Sequence, residues 1–341
     1  MTADPVNLDR PQLRDDRKSG TPLPRAARAN GNRWRGSTGT GGGFTGAGPT
    51  VVDVTLTGRC QLRCGFCWGP EHRERPNPDV RRWKDLLRRL AGSGTVRMVF
   101  SGGEPLLSPL LPHLLEEARE LGMETTLSTN GVLLARKANV LRHVSQIGIP
   151  VDAASAMVSE VMRPRSSRHN AWQRSIDGIV LAQSQGVPVI VRTVVARLNQ
   201  HEVLDIPGVL ESCGVNLATD RIMLKLYRAT RFGPIPSASP TERWEAVYAV
   251  RDGLVEELAA ALRVRYPQLS VVTQDYRDTR GRYFLVAPRG DAFGVDIRAG
   301  DSSPRMIEYG NVFDDYESAI AHYYEALASD EQMVQRPPRC S

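Results

Sequence analysis

Between residues 51 and 227 the chain alternates between two periodicities, and this alternation limits the fold more than any other feature. Short β-branched runs stand at VVDVTLT (51–57), VRMVF (96–100), TTLST (125–129), IGIPVD (147–152), VPVIVRTVV (187–195) and RIMLKLY (221–227). Between them, apolar residues recur every third or fourth position, the pattern of a helix that buries one face. In DVRRWKDLLRRLAG that face is Trp83, Leu86, Leu87 and Leu90, with Asp79 as N-cap and Gly92 just past the end. Further helices are expected at 108–121, 132–145, 170–185 and about 202–213. A strand that is followed by a helix returns to pair in parallel, with the helix on the outside. The expected fold is therefore α/β: a partial, TIM-like (β/α)6 barrel over residues 49–233. Six units fall short of the eight of a closed barrel.

The ends of the chain read differently. SPTE (239–242) is a capping box, with Ser239 as N-cap, Pro240 in the first helical position and Glu242 reaching back. It predicts a helix to about residue 263. RYFLVA (282–287) and AFGVD (292–296), joined by PRG, predict two strands. Residues 234–341 are read as a small α/β cap on the open side of the barrel. Residues 1–48 are basic, rich in Gly, Ser and Thr and poor in apolar residues, and are read as a disordered tail. Of the formal charge of +6, the eight Lys/Arg and four Asp of residues 1–50 supply +4, leaving +2 for the rest. A nearly neutral body does not point to nucleic acid. No apolar run approaches the roughly 18 residues of a membrane span, and the N-terminus carries no secretion pattern. The expectation is a cytoplasmic protein with no membrane contact.

Three of the five cysteines fall in CQLRCGFC (60–67). In a reducing compartment such a cluster binds metal or does redox work rather than forming a disulfide framework. A structural zinc site takes four ligands. The nearest extra donor is His72, among Glu71, Arg73 and Glu74, so zinc would need a distant fourth ligand. A [4Fe–4S] cluster also usually takes four thiolates. Held by three, it keeps one iron open to a small chelating molecule, such as the amino and carboxylate groups of an amino acid. In parallel barrels chemistry gathers at the C-terminal ends of the strands. The cysteines follow the first strand, GGEP (102–105) the second and STNG (128–131) the third, while Asp152 ends the fourth.

Cys60-x3-Cys64-x2-Cys67, with Phe66 before the last cysteine, resembles the signature loop of the radical S-adenosylmethionine (radical SAM) superfamily. The resemblance covers about residues 51–230. It implies one [4Fe–4S] cluster on the three cysteines and S-adenosylmethionine as the second cofactor, cleaved reductively to a 5′-deoxyadenosyl radical. It implies that Phe66 lies beside the adenine. Gly102, Gly103 and Glu104 would receive the methionine amino group, with Glu104 as the charged acceptor. Ser128 and Asn130 would approach the ribose and carboxylate, and Arg163 the carboxylate. Asn199, in ARLN, is a further match on the fifth strand. A reductase such as flavodoxin or ferredoxin would supply the electron.

The C-terminal region resembles the extension that holds further clusters in many members, through PRGDAFGVD and EYGNVFDD, but it lacks their cysteines. VVTQDYRDTRGRYFLVAPRGDAFG is loosely similar to the viperin-like branch. Cys213 and Cys340 are the remaining cysteines; Cys213 is read as a small buried apolar residue, with radical quenching as the sharper alternative. Tyr227 and Tyr276 are candidate hydrogen donors. Arg163, Arg165 and Arg168 in one loop, and Lys225, Arg228 and Arg231 in another, suit an anionic substrate through bidentate hydrogen bonds. The expectation is an oxidoreductase or lyase acting on a small sugar- or nucleoside-containing molecule in natural-product or antibiotic biosynthesis. The reaction would be epimerisation, dehydration, decarboxylation or oxidation. The alternatives are a peptide-modifying enzyme, which would usually bring auxiliary-cluster cysteines, and a non-catalytic iron–sulfur or zinc protein.

Overall fold

Six strand–helix units run in the expected order: β1 (Val51–Thr55), α1 (Val80–Gly92), β2 (Arg97–Ser101), α2 (Leu111–Glu120), β3 (Glu124–Ser128), β4 (Gln146–Pro150), α3 (Ala156–Met162), α4 (Ala171–Ser184), β5 (Val189–Val195), α5 (Ile206–Ser212) and β6 (Ile222–Arg228). The computed structural model describes residues 48–67, 79–164, 170–230, 241–274, 283–296 and 305–334. Asp79 caps α1 by accepting from the Arg81 amide, and Asn170 caps α4 from Gln173. Every pairing from β1 through β6 is parallel. On the outer face Val52, Val54, Met98, Phe100, Leu127, Ile147, Val189 and Val191 are buried beneath Trp83, Leu87, Leu114, Leu115, Ile176 and Ile179.

Two segments depart from expectation. Residues 132–145 do not form an α-helix but a 3-10 segment, Leu134–His143, broken at Lys137. Leu134, Val140 and Leu141 are buried but none of residues 135–139 is, so no side chain anchors the middle of the segment to the core and the turn at Lys137 is free to break. The helix expected to run to residue 263 is split into α6 (Thr241–Tyr248) and α7 (Leu254–Arg265). The break ends at Gly253, whose φ of +78° suits glycine. Ser239 and Pro240 lie outside the described residues.

The C-terminal part builds onto both edges of the six-stranded core. β7 (Ser270–Gln274) pairs in parallel with β6, and β8 (Phe284–Val286) pairs in parallel with β1. β9 (Asp291–Asp296) and β10 (Arg305–Asn311) follow antiparallel, and α8 (Tyr316–Val334) packs on them. Phe284 stacks on Tyr309 at 5.5 Å, with Tyr323 edge-on at 5.3 Å. Among the described residues the sheet order is β10-β9-β8-β1-β2-β3-β4-β5-β6-β7. In a flat sheet, seven spacings of about 4.8 Å would hold β8 and β7 roughly 34 Å apart. Gln274 Nε2 instead donates to Tyr283 Oη, just before β8, at 3.2 Å. The parallel sheet is therefore curled into a barrel whose last seam is bridged by side chains.

Candidate functional site

The turn after β2 is built to lie on the chain entering the cysteine loop. Gly103 N donates to Thr57 O and Glu104 N to Arg59 O, both at 2.8 Å. Gly102 has φ +124°, and a Cβ on it would stand 2.6 Å from Thr57 O. A Cβ on Gly103 would stand 2.4 Å from Arg59 O and 2.7 Å from Gly58 O. Only glycines let the two backbones approach this closely. The fully buried Glu104 then ties three strand ends together. Its carboxylate accepts from Thr129 Oγ1 at 2.7 Å, Asn130 N at 2.9 Å and Leu106 N at 3.0 Å. Burial pushes the Glu104 carboxyl up to about 7, against the pull of those donors.

The three loop cysteines are free thiols, with Cys60 exposed and Cys64 and Cys67 half-buried. Leu62 N donates to Cys60 Sγ at 3.3 Å, and Asn130 Nδ2 approaches it at 3.6 Å. Arg163 Nη1 approaches Cys64 Sγ at 3.6 Å. Burial, with the neighbouring Cys67 and Cys60, pushes the Cys64 thiol up to about 12 against the pull of Arg163. Desolvation of its sulfur within the loop, with Glu104 and Cys67 adding, pushes the Cys60 thiol up to about 11 although the residue as a whole is exposed. Metal must therefore displace protons to bind here. Among the described residues no three His, Cys, Asp or Glu converge on a single ion. Thiolates around one zinc would stand about 3.8 Å apart. Three thiols on one short loop, two of them with N–H donors at their sulfurs, are ligands of the kind an iron–sulfur cluster takes.

Phe66 is buried against two partners. The Arg163 guanidinium sits 5.0 Å from its ring centre, and Tyr248 of α6 meets it edge-on at 5.7 Å. Tyr248 also covers Gly65, where a Cβ would lie 2.3 Å from Tyr248 Oη. Arg163 Nε pairs with Asp152 Oδ2 at 2.5 Å, and Asp152 Oδ1 accepts from Val194 N at 2.8 Å. Asn199 is fully buried. Its Nδ2 donates to Asp152 O at 2.5 Å and Val194 O at 2.8 Å, and its Oδ1 accepts from Ala196 N at 2.7 Å. It latches the end of β5 from behind and shows no side-chain surface to the mouth.

The structure thus gathers Cys60, Cys64, Cys67, Phe66, Gly102, Gly103, Glu104, Asn130 and Arg163 at the C-terminal ends of β1 to β4. Ser128 faces the lumen, where the Arg192 Nη1 donates to its Oγ. Tyr227 faces the lumen from β6, and burial raises its pKa. Cys213 ends α5, half-buried against the main core, at the end where the chain enters β6. In a strand–helix barrel that is the face opposite the cysteine loop. Arg228 pairs with Asp252 and donates to Val250 O at 3.0 Å. His72, Arg165, Arg168, Arg231, Tyr276 and Cys340 lie outside the described residues. Sequence reasoning missed Thr129, Tyr248 and Arg192. Thr129 lies inside STNG and Arg192 interrupts an apolar strand, so both carried a signal; Tyr248 carried none.

A curled parallel sheet carries a three-cysteine loop and a glycine turn together at its mouth, the arrangement expected of an enzyme that holds an iron–sulfur cluster beside a small cofactor. The family model described as the radical SAM superfamily matches residues 54–206. PqqA peptide cyclase of Streptomyces rochei is 31% identical over 260 residues, covering 71% of this chain and 68% of that protein. PqqA peptide cyclase of Xanthomonas campestris pv. campestris (strain 8004) is 32% identical over 311 residues, covering 86% and 78%. Among solved structures, Streptococcus suis SuiB bound to S-adenosylmethionine matches with a TM-score of 0.60 at 14% identity. That match covers 81% of this chain but 66% of SuiB, just under two thirds. Native anSMEcpe with bound AdoMet and Cp18Cys peptide matches with a TM-score of 0.60 at 15% identity, covering 81% of each chain. At such identities the solved structures speak to the fold alone. The chain belongs to the radical SAM superfamily, and its cofactors are a [4Fe–4S] cluster and S-adenosylmethionine.

Proposed function

We propose that this chain modifies a peptide. The observation that carries the reading is its similarity to PqqA peptide cyclase across 86% of its length. SuiB, solved with precursor peptide SuiA, and anSMEcpe, solved with a peptide, share the fold and add support. The small sugar or nucleoside substrate favoured by the sequence has no counterpart among these relatives. Only two of the five cysteines lie outside the loop, so we assign a single cluster.

Bound together, the cluster and S-adenosylmethionine supply a 5′-deoxyadenosyl radical that removes a hydrogen atom from the substrate. Cys60, Cys64 and Cys67 hold the cluster, and Phe66 flanks the adenine. The Gly102–Gly103 turn receives the methionine amino group, with the buried Glu104 acting through the turn it clamps. Ser128 and Asn130 face the ribose and carboxylate, and Arg163 reaches the carboxylate. Asn199 supports this from behind by fixing Asp152. Phe66, Ala153, Met162, Ala196 and Ala229 form an apolar patch with Tyr248 beside the loop. Such a patch keeps water from a reactive intermediate. The chemistry is of oxidoreductase type, with the electron from a flavodoxin or ferredoxin and a cytoplasmic setting. Among the described residues no helix is long and apolar enough to cross a membrane.

The test is anaerobic reconstitution followed by incubation with peptides encoded beside the gene, each deuterated at its side chains. Deuterium carried into 5′-deoxyadenosine from a peptide supports the reading. Deuterium carried only from labelled sugars or nucleosides would overturn it.

A further inference from the structure

The lumen of the barrel holds a second arrangement, which meets the residues assigned to the cofactors only at Ser128. Along β5, Val189, Val191, Thr193 and Val195 are buried beneath the helices, while Ile190, Arg192 and Val194 keep partial exposure on the inner face. β6 repeats this, with Lys225 and Tyr227 part-exposed on the inner face. The inside is therefore an accessible space rather than packed layers.

Arg192 and Lys225 are register partners on neighbouring strands, so their like charges stand side by side on the inner face. Arg192 is fixed in place. Its Nη1 donates to Ser128 Oγ, and its guanidinium lies on the bare backbone of Gly148, where a Cβ would be 2.4 Å from both Nε and Cζ. Its Nε is nevertheless buried with no acceptor. Lys225 makes no hydrogen bond or ion pair among the described residues; its Nζ stands 5.5 Å from the Tyr227 ring centre. One carboxylate, Asp53 on β1, lies close enough to feel Arg192, and it already accepts from Ser101 Oγ. Tyr283 and Gln274 complete the wall.

Among the described residues, two cations against one carboxylate leave a single positive charge uncompensated. With Nη1 given to Ser128 and Nε buried on Gly148, the donors left for a ligand are Arg192 Nη2 and the bare Lys225 ammonium, a pair that the two oxygens of a carboxylate can bridge. A phosphate dianion would overcompensate the charge. We propose that Arg192 and Lys225 form a carboxylate-binding subsite in the barrel lumen that anchors an acidic side chain of the substrate. The source of that carboxylate, an Asp or Glu of a peptide, rests on the function proposed above; the subsite's chemistry does not.

The experiment uses the reconstituted holoenzyme and calorimetric titration with N-acetyl-glutamate α-amide, N-acetyl-glutamine α-amide and inorganic phosphate. The glutamate derivative should bind at least about tenfold tighter than the other two. Arg192→Met and Lys225→Met should each weaken it roughly tenfold to hundredfold, with Arg192→Lys falling between. Cluster absorbance should stay unchanged in both variants and S-adenosylmethionine affinity in Lys225→Met, which separates this role from cofactor binding; Arg192 also holds Ser128, so its variant is read on the probe alone. Phosphate binding as tightly as the glutamate derivative overturns the proposal. So does an Arg192→Met or Lys225→Met variant that binds the probe like wild type, or a Lys225→Met variant that loses S-adenosylmethionine affinity instead. Probe binding with this dependence, but no hydrogen transfer from any peptide, keeps the subsite and removes the peptide reading. Peptides that react with the same KM in wild type and both variants remove the subsite and keep the peptide reading.

Discussion

Replacing Gly103 by alanine should separate the GGEP turn from the cysteine loop. The new Cβ would meet Arg59 O at 2.4 Å and Gly58 O at 2.7 Å, and both are backbone atoms that cannot rotate away. Relief requires the two segments to part. That stretches the Gly103 N–Thr57 O and Glu104 N–Arg59 O bonds, each 2.8 Å long. Two backbone hydrogen bonds at a net of about 1 kcal/mol each, with some desolvation cost left behind, give an expected loss of about 2–4 kcal/mol. Urea unfolding of the metal-free protein, followed by circular dichroism, measures this loss. Iron and sulfide analysis after anaerobic reconstitution measures the second effect, a cluster content well below wild type. Gly92→Ala is the control: nothing lies within 4 Å of its Cβ, and at a helix end it should be neutral or stabilising by about 0.5–1 kcal/mol. A Gly103→Ala protein with wild-type unfolding and full cluster content would refute the claim that this turn holds the loop in place.

Three further outcomes are expected. Thr129→Val removes the 2.7 Å donor to the buried Glu104 carboxylate and should lower stability by about 1–3 kcal/mol, with Thr129→Ser restoring most of it in thermal melts. Lys225 is pushed down to about 8 by burial and by Arg192, from an ordinary 10.5. Between those values the folded protein binds fewer protons than the unfolded chain. Its stability should therefore rise with pH from about 8 towards 10, by at most about 3 kcal/mol, while burial keeps Tyr227 and Tyr283 protonated. In Lys225→Met, urea unfolding across that range should show no such rise. Cys64→Ala should keep the fold, because among the described residues its thiol donates no hydrogen bond and only accepts one from Arg163, yet should lose most of the iron and all 5′-deoxyadenosine formation by liquid chromatography.

The strand–helix core was legible because it rests on local signals. Asp79 and Asn170 cap the helices that follow them, and Trp83, Leu86, Leu87 and Leu90 face the sheet as their spacing required. The motif residues were legible because each follows a strand end. What was not legible depended on partners distant in sequence. β8 lies against β1 through pairs such as Val52↔Phe284, and no local pattern announces a partner that far along the chain. The 3-10 break at Lys137 was hidden by an apolar repeat that looks helical in isolation. Glu104 was legible as a motif residue, but not as a buried clamp, because its hydrogen bonds come from the third strand's end. Arg192 shows the opposite case. A charged residue inside VPVIVRTVV marks the face that cannot be packed under helices, and the register with Lys225 then defines the lumen.

The most direct test is electron paramagnetic resonance of the reduced, anaerobically reconstituted protein before and after S-adenosylmethionine is added. A loop with three thiols should leave one iron for the cofactor, so the cluster's spectrum should shift on addition and 5′-deoxyadenosine should form. A spectrum identical with and without S-adenosylmethionine, from a fully assembled and reduced cluster, would contradict the account.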